Sequence, residues 1–281
     1  MFRRGVWSSL LRGDGAGGLE PPLSTSINLL TDDVAITDFN ADGHSDFLWQ
    51  HDSGQAATWL TTFIGSGPIG PNPGPSWHVI DVGDFNSDNN DDILLQDDGG
   101  QAAVWLLNGT SVIGGGAMGP NPGPTWHVKA AGDFNGDFHS DILWQNDNGL
   151  AAIWLIGGDP STPSVIGGAI ANPGSPSWHV IDTGDFNADN HDDILWQNDS
   201  GQAALWLLDG TTLIGGGTVG PNPGADWHVV GAGQFNDGDA NSDILLQHDS
   251  GQAAVWLLDG TSVIGGGAVG PNPGADWHLI A

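Results

Sequence analysis

The sequence predicts an all-β fold, a five-bladed β-propeller of four-stranded antiparallel blades, its ring closed by joining N- and C-terminal strands. Three observations predict it. First, markers recur about every fifty residues: Phe-Asn at Phe39, Phe85, Phe134, Phe186 and Phe235, spaced by 46, 49, 52 and 49 residues. Trp-His followed by Val or Leu recurs at Trp77, Trp126, Trp178, Trp227 and Trp277, and Ala-Ala-x-Trp-Leu ends at Leu60, Leu106, Leu155, Leu207 and Leu257. Second, no stretch carries the 3.6-residue period of an amphipathic helix. Third, each unit divides into four short apolar runs separated by turn residues, and units of that kind bury their faces only by stacking around an axis.

The unit from Trp77 to Pro124 shows the elements in order. Trp77-His-Val-Ile-Asp-Val-Gly is a β-prone run leading into the acidic loop Asp84–Asp92. Ile93-Leu-Leu-Gln is a second run, closed by Asp97-Asp-Gly-Gly. Gln101-Ala-Ala-Val-Trp-Leu-Leu is a third, closed by Asn108-Gly, read as a type I′ hairpin. Thr110-Ser-Val-Ile-Gly is a fourth, fading into glycines and the loop Pro120-Asn-Pro-Gly. Small residues ending the first run (Val82-Gly83, Ala131-Gly132, Thr183-Gly184, Ala232-Gly233) suit an innermost strand, where backbones crowd the axis. Residues 1–30 read as a separate, poorly ordered segment and 31–281 as one domain. Trp277-His-Leu-Ile-Ala281 is one extra first strand, and it could complete blade one, whose own version (Asp33-Val-Ala-Ile-Thr) lacks Trp-His. A truncated larger ring is the rival.

Composition narrows function. The 281 residues include 4 Lys or Arg against 34 Asp or Glu, a formal charge of -30, and all the acids but Glu20 are aspartates. Lys129 is the only cation after Arg12, which excludes a nucleic-acid or anionic-membrane partner, since phosphate recognition needs clustered cations. With 38% hydrophobic residues and 14 Trp the chain is too apolar for a disordered acidic tail. There are no cysteines, so disulfides, thiolate catalysis and Cys-ligated zinc are absent, and no apolar run approaches the length of a membrane span.

The aspartates fall into register. Asp38/Asn40/Asp42/Asp46, Asp84/Asn86/Asp88/Asp92, Asp133/Asn135/Asp137/Asp141 and Asp185/Asn187/Asp189/Asp193 repeat Asp-Phe-Asn-x-Asp-x-x-x-Asp. Oxygens at positions 1, 3, 5 and 9 of a tight loop can converge on one hard cation. Position 7 (His44, Asn90, His139, His191) would add its backbone carbonyl. All-oxygen ligation favours Ca²⁺. Turn formation alone is the competing reading of one such loop; four copies in one register favour calcium. An EF-hand is excluded, because position 12 is Trp49, Leu95, Trp144 or Trp196 rather than Glu. The fifth loop departs: it begins with Gln234 and is one residue longer, leaving Asn236, Asp239 and Asp243 as weaker candidates. Phe138 stands where the first loop has Gly43, a less favourable turn residue.

These loops resemble FG-GAP/VCBS repeats, found in integrin α-subunit propellers and many secreted bacterial proteins. The resemblance rests on Phe39-Asn-Ala-Asp-Gly-His-Ser-Asp-Phe-Leu-Trp49 and its copies and covers about 31–281. It implies a propeller whose acidic loops join the first two strands of each blade and bind calcium structurally. Some free-standing propellers of this kind are lectins with sugar pockets repeated between blades, so the resemblance implies fold and metal firmly and function loosely.

Carbohydrate binding is the first functional expectation, through a multivalent lectin at or outside the cell surface, because a Trp face packs on a sugar ring while polar neighbours bond its hydroxyls. The candidates are Trp77/His78, Trp126/His127, Trp178/His179, Trp227/His228 and Trp277/His278, with glycans as partners acting through avidity. Core packing competes for these Trp residues. Trp59, Trp105, Trp154, Trp206 and Trp256 are expected in the core, and so is the position shared by Trp49, Trp144, Trp196, Leu95 and Leu246. Protein adhesion is the alternative, with the irregular segment Gly157-Gly-Asp-Pro-Ser-Thr-Pro as its obvious loop. An enzyme is disfavoured, since every candidate acid or base recurs in each unit whereas an active site assembles unlike groups. Homo-oligomerisation is left open.

Overall fold

A computed structural model describes residues 35–41, 44–61, 67–171, 175–236 and 239–279; Asp42 and the segment 1–30 lie outside them. The described residues form twenty strands in five four-stranded antiparallel sheets and no α-helix. Every sheet is a meander in chain order, so the five-bladed propeller is confirmed. Blade one comprises β1 (Ala35–Thr37), β2 (Asp46–Gln50), β3 (Ala56–Trp59) and β4 (Gly67–Pro68). Blade two comprises β5 (Trp77–Gly83), β6 (Asp92–Asp97), β7 (Ala102–Asn108) and β8 (Ser111–Met118). Blades three, four and five begin at Trp126, Trp178 and Trp227.

Blades two, three and four are buried on both faces. In β6, Ile93 and Leu95 pack towards blade one with Phe39, Leu48 and Ile69, while Leu94 packs towards blade three with Val128, Ile142 and Trp144. Two-residue alternation explains this split, and double-sided burial explains why the strand reads as a continuous apolar run. Four such inter-blade cores run from blade one through blade five. The first strands line the axis and touch in sequence. A Cβ on Gly83 would stand 2.5 Å from the Ser140 hydroxyl of the next blade, which favours glycine at this end in four blades, whereas blade one has Thr37 there.

Three local expectations are corrected. The β7–β8 hairpin forms, but its two loop residues are Gly109 and Thr110, with Asn108 still paired to Ser111. Only Gly109 has positive φ (60°), which places glycine at the first loop position as in a II′ turn rather than I′. The glycines after Ile113 do not end the strand: β8 continues through them because a Cβ on Gly115 would lie 2.1 Å from the Val104 carbonyl. The segment 157–163 is not a free loop but a longer hairpin, in which Gly158 pairs with Pro163 and Asp159 with Thr162.

Blade one takes its inner strand from Ala35–Thr37, paired with Leu48, Phe47 and Asp46. The C-terminal segment Trp277–Leu279 instead rests on blade five: Gln247 Nε2 donates to Trp277 O at 2.8 Å and Gln247 Oε1 accepts from Leu279 N at 3.0 Å.

Candidate binding site

Strand direction sorts the candidate residues onto two opposite faces. First strands run from Trp-His towards the acidic loop, so all the acidic loops share one face and all the Trp-His pairs the other. On the acidic face adjacent loops are bonded into a band: Ser140 N donates to Asp84 O (2.7 Å), Asp192 N to Asp133 O (2.8 Å) and Ser242 N to Asp185 O (2.7 Å).

Within a loop the aspartates have different jobs. Asp84 Oδ1 accepts from Asn86 N and Asp88 N, Asp84 Oδ2 from Asn89 N, and Asp88 Oδ1 from Asn90 N. The same pattern holds Asp133, Asp137, Asp185 and Asp189, with His139 N and His191 N as the donors at position 7. These bends require left-handed residues: Ser87 and Asn89 have φ of 59° and 64°, Ala188 and Asn190 58° and 65°. Phe138 occupies this conformation at 67°, confirming the unfavourable turn residue. In the first loop the Asn40 amide donates to Asp38 Oδ1.

The third-position asparagines, expected from the sequence as cation ligands, are hydrogen-bonded inside the loop. Asn86, Asn135 and Asn187 each grip the aspartate two residues on. Their Nδ2 groups donate to Asp88, Asp137 and Asp189 Oδ2 at 3.0, 3.1 and 2.9 Å. Their Oδ1 atoms accept from the backbone amides of those same aspartates at 3.1, 3.0 and 3.2 Å. As placed, Asn86, Asn135 and Asn187 build the turn, and each Oδ1 keeps a second lone pair. The reason is local, because an Asn carbonyl finds the amide two residues ahead before it finds anything more distant.

The ninth position is a structural clamp. Asp46, Asp92, Asp141, Asp193 and Asp243 are fully buried, and each ties the loop's Phe amide to the strand opposite. Asp141 accepts from Phe134 N at 3.1 Å and Ile156 N at 2.7 Å; Asp92 from Phe85 N at 3.0 Å and Leu107 N at 2.8 Å. Burial pushes Asp141 up to about 8 and Asp92 and Asp193 to about 7, helped by the neighbouring loop carboxylates and opposed by the two amides. Both oxygens keep a second lone pair, so the clamp is compatible with a cation. Among the described residues no three carboxylate or imidazole groups form a ready-made metal centre. The fit to calcium therefore rests on donor chemistry: an all-oxygen, multiply anionic set in one tight loop. The fifth loop differs as expected; Gln234 Nε2 bonds Asp239 O, and Phe235 is 45% exposed where its four counterparts are buried.

On the other face the Trp-His pairs divide. Trp77, Trp126, Trp178 and Trp227 are half-buried and pack against the inter-blade cores. Their histidines are exposed and bonded within the blade: His78 to Asp98, His127 to Asp147 and His228 to Asp249 at 2.8 Å, His179 to Asp199 at 2.7 Å. Trp277 and His278 are both exposed.

Concave sites form beside the third-strand tryptophans. A notch of roughly 320 Å³ is lined by Pro73, Trp77, Leu95, Gln101, Ala103 and Trp105. Its counterpart in blade one, roughly 400 Å³, is lined by Trp49, His51, Ser53, Gln55, Trp59 and Asn72. The sequence places Trp59 and Trp105 in the core; they are half-buried, with one face on the core and the other in the notch. Gln101 forms the polar side of its notch, with Nε2 donating to Ala102 O and Met118 O. The aromatic spacing was legible in sequence, but not which Trp face stays open.

One set of residues carried no motif signal at all. Gln50, Gln96, Gln145, Gln197 and Gln247 lie at or next to the end of each second strand, and each bonds the Trp-His-Val/Leu segment that follows its blade twice. Gln197 Nε2 donates to Trp227 O (2.9 Å) and its Oε1 accepts from Val229 N (3.0 Å). Gln50, Gln96 and Gln145 repeat this on Trp77 and Val79, Trp126 and Val128, Trp178 and Val180.

Comparisons with known proteins agree with this architecture. Residues 38–95 match the model of the FG-GAP-like repeat. No curated protein sequence matches the chain. Among solved structures the chain is similar to the WD40 domain of SCAP from fission yeast, with 10% identity and a TM-score of 0.54. The match covers 85% of this chain and 52% of that one, so this chain spans about half the length of its structural relative, and the likeness is one of fold alone. No helix among the described residues is long and apolar enough to cross a membrane. The chain is thus a five-bladed β-propeller in which residues 38–95 match an FG-GAP-like repeat.

Proposed function

We propose that this chain is a non-catalytic, calcium-stabilised carbohydrate-binding propeller acting at or outside the cell surface. The observation that carries the proposal is the notch beside Trp59 and again beside Trp105. Each presents an indole face, a small Ala floor and a glutamine in a concavity of roughly 400 or 320 Å³. That volume and that mixture of one aromatic wall with a few polar groups suit a pyranose. The reading moves the sugar contact away from His78, which is held by Asp98, to Gln101 and Trp105. Calcium would be held by the carboxylates Asp84, Asp88 and Asp92 and their counterparts, where a bound cation neutralises the loop charge; Asn86, Asn135 and Asn187 would join through the second lone pair of Oδ1. Because loops and notches lie on opposite faces, the metal supports the site through stability and does not touch the ligand.

A glycan array followed by calorimetry on Trp105→Ala and Trp59→Ala tests this. The expected result is glycan binding in millimolar calcium that weakens at least tenfold in either variant; no binding by folded protein refutes it. Protein docking is the second reading, favoured by the propeller fold as an interaction module and by the outer strands, where Ile113, Ile166, Leu213 and Ile264 are each more than half exposed.

A further inference from the structure

Four of the five blades carry a glutamine immediately before the third strand, and its amide is held in one orientation. Gln101 Nε2 donates to Ala102 O at 2.9 Å and Met118 O at 3.0 Å, and Gln202 Nε2 to Ala203 O at 3.0 Å and Val219 O at 2.9 Å. Gln252 Nε2 bonds Ala253 O and Val269 O in the same way, and Gln55 Nε2 bonds Ala56 O and Ile69 O. A carbonyl oxygen accepts only from the NH2 end of an amide, so two carbonyl partners fix which end is which and use both protons. The amide oxygen Oε1 has no partner among the described residues in any of the four, and Gln55 and Gln101 line their notches. This side chain therefore offers a notch an acceptor and no donor, and a ligand must bring the proton.

Charge narrows the ligand further. Asp98, Asp199 and Asp249 stand largely exposed on the face that holds the notches. Lys129 is the only cation among the described residues, and its counterpart in blade two, Ile80, does not line the notch. A carboxylate or sulfate entering a notch would lose hydration and meet no cation in return.

The blades are not equivalent at these positions. Blade five repeats blade two, with Trp227, Leu246, Gln252, Ala254, Trp256 and Gly267 for Trp77, Leu95, Gln101, Ala103, Trp105 and Gly116. Blade four keeps Gln202, Ala204, Trp206 and Gly217 in the same register. Gly116, Gly217 and Gly267 border open space, where an added Cβ would meet nothing within 4 Å. Blade three departs at the glutamine and at the glycine. Leu150 replaces the glutamine, and the register sets Ala169 and Ile170 opposite Ile153 and Ala152, where blade two has Gly116 and Ala117 opposite Val104 and Ala103.

We infer that the fixed amide oxygen decides both the ligand and the number of sites: the notches of blades one, two, four and five take a neutral or amino-bearing pyranose that donates a proton to Oε1 of Gln55, Gln101, Gln202 or Gln252, acidic sugars are refused, and blade three takes none. This rests on the carbohydrate reading of the notches and adds the charge of the sugar and a valency of four.

A glycan array sorted by charge tests the first part on the full chain in millimolar calcium. The retained glycans are expected to end in neutral or amino sugars, with their uronate or sulfated counterparts at least tenfold weaker. Acidic glycans retained as strongly as their neutral counterparts overturn the inference and leave the carbohydrate reading intact. An array with no retained glycan refutes that reading, and the inference falls with it. Native mass spectrometry with the methyl glycoside of the retained terminal sugar tests the second part. Four bound at saturation is the expected result, and five overturns the exclusion of blade three. Leu150→Gln with Ala169→Gly and Ile170→Ala should raise four to five. Replacing Gln55, Gln101, Gln202 and Gln252 together by Leu, the residue that blade three already carries, should weaken retention by at least tenfold; unchanged retention by folded protein overturns the role of the amide oxygen. Should that variant not fold, Gln101→Leu alone is expected to lose one bound ligand of the four, and an undiminished count overturns the same role.

Discussion

Thr58 offers a test in which a single buried oxygen sets the sign. It sits in β3 at the position filled by Val104, Ile153, Leu205 and Val255 in the other blades. Thr58 is fully buried, and its hydroxyl has no hydrogen-bond partner. A buried polar group left unsatisfied costs about 1–3 kcal/mol in lost hydration. Thr58→Val puts a methyl where the hydroxyl is and opens no cavity, so the gain should be most of that cost, about 1–2 kcal/mol. For a chain of this size about 1 kcal/mol shifts Tm by roughly 2–4 °C, giving a rise of about 3–6 °C. Urea unfolding followed by Trp fluorescence should show a higher midpoint at unchanged slope. Thr58→Ser, which keeps the hydroxyl and deletes the methyl, should go the other way by about 1 kcal/mol. A lowered Tm for Thr58→Val would mean that the hydroxyl is satisfied, by a buried water for instance, and would refute the reasoning.

Gln197→Met removes bonds to Trp227 O, Val229 N and Gly201 O and should cost about 3 kcal/mol, read as a lower urea midpoint; a neutral result would show that the inter-blade amide is replaceable. Phe138→Gly releases a bulky, exposed residue from φ 67° and should stabilise by about 1 kcal/mol in differential scanning calorimetry. Metal-free protein should lose stability as pH rises from about 4 to about 8. Burial raises Asp81 and Asp192 to about 6, Asp92 and Asp193 to about 7 and Asp141 to about 8, so the folded chain binds more protons than the unfolded chain across that window. Melting temperatures that climb with pH in chelator would contradict this. Calcium should restore stability at pH 7–8, by about 2.7 kcal/mol per site at a hundredfold excess over Kd, and an unchanged Tm with and without chelator counts against structural calcium.

Much of this fold is written locally. A fifty-residue repeat of four apolar runs leaves a meander blade as the simple solution, and the loop from Asp84 to Asp92 names its turn through residue spacing. The departures in Phe138 and in the fifth loop were legible for the same reason: they break a register that the other copies display. Spacing did not show which loop amides Asn135 and Asn187 bond, nor that Asp133 and Asp185 share that work. The Gln latch was not legible either. Gln96 looks like the polar end of a strand, and its partner, Trp126, lies 30 residues away in another blade. The same limit applies to the notches. Trp59, Trp105 and Trp77 all recur with one period, and periodicity says which residues are equivalent without saying which faces are covered.

The sequence by itself therefore determined the blade, the number of blades and the loops that carry the charge, because hydrophobic alternation, turn chemistry and carboxylate spacing are properties of neighbours along the chain. Only the tertiary structure decided that the acidic loops and the aromatic notches occupy opposite faces, that the ninth aspartate of each loop is a buried clamp, and that His78 belongs to Asp98. Those outcomes depend on which surface of one blade meets which surface of the next, and contact between blades is set by packing around the axis.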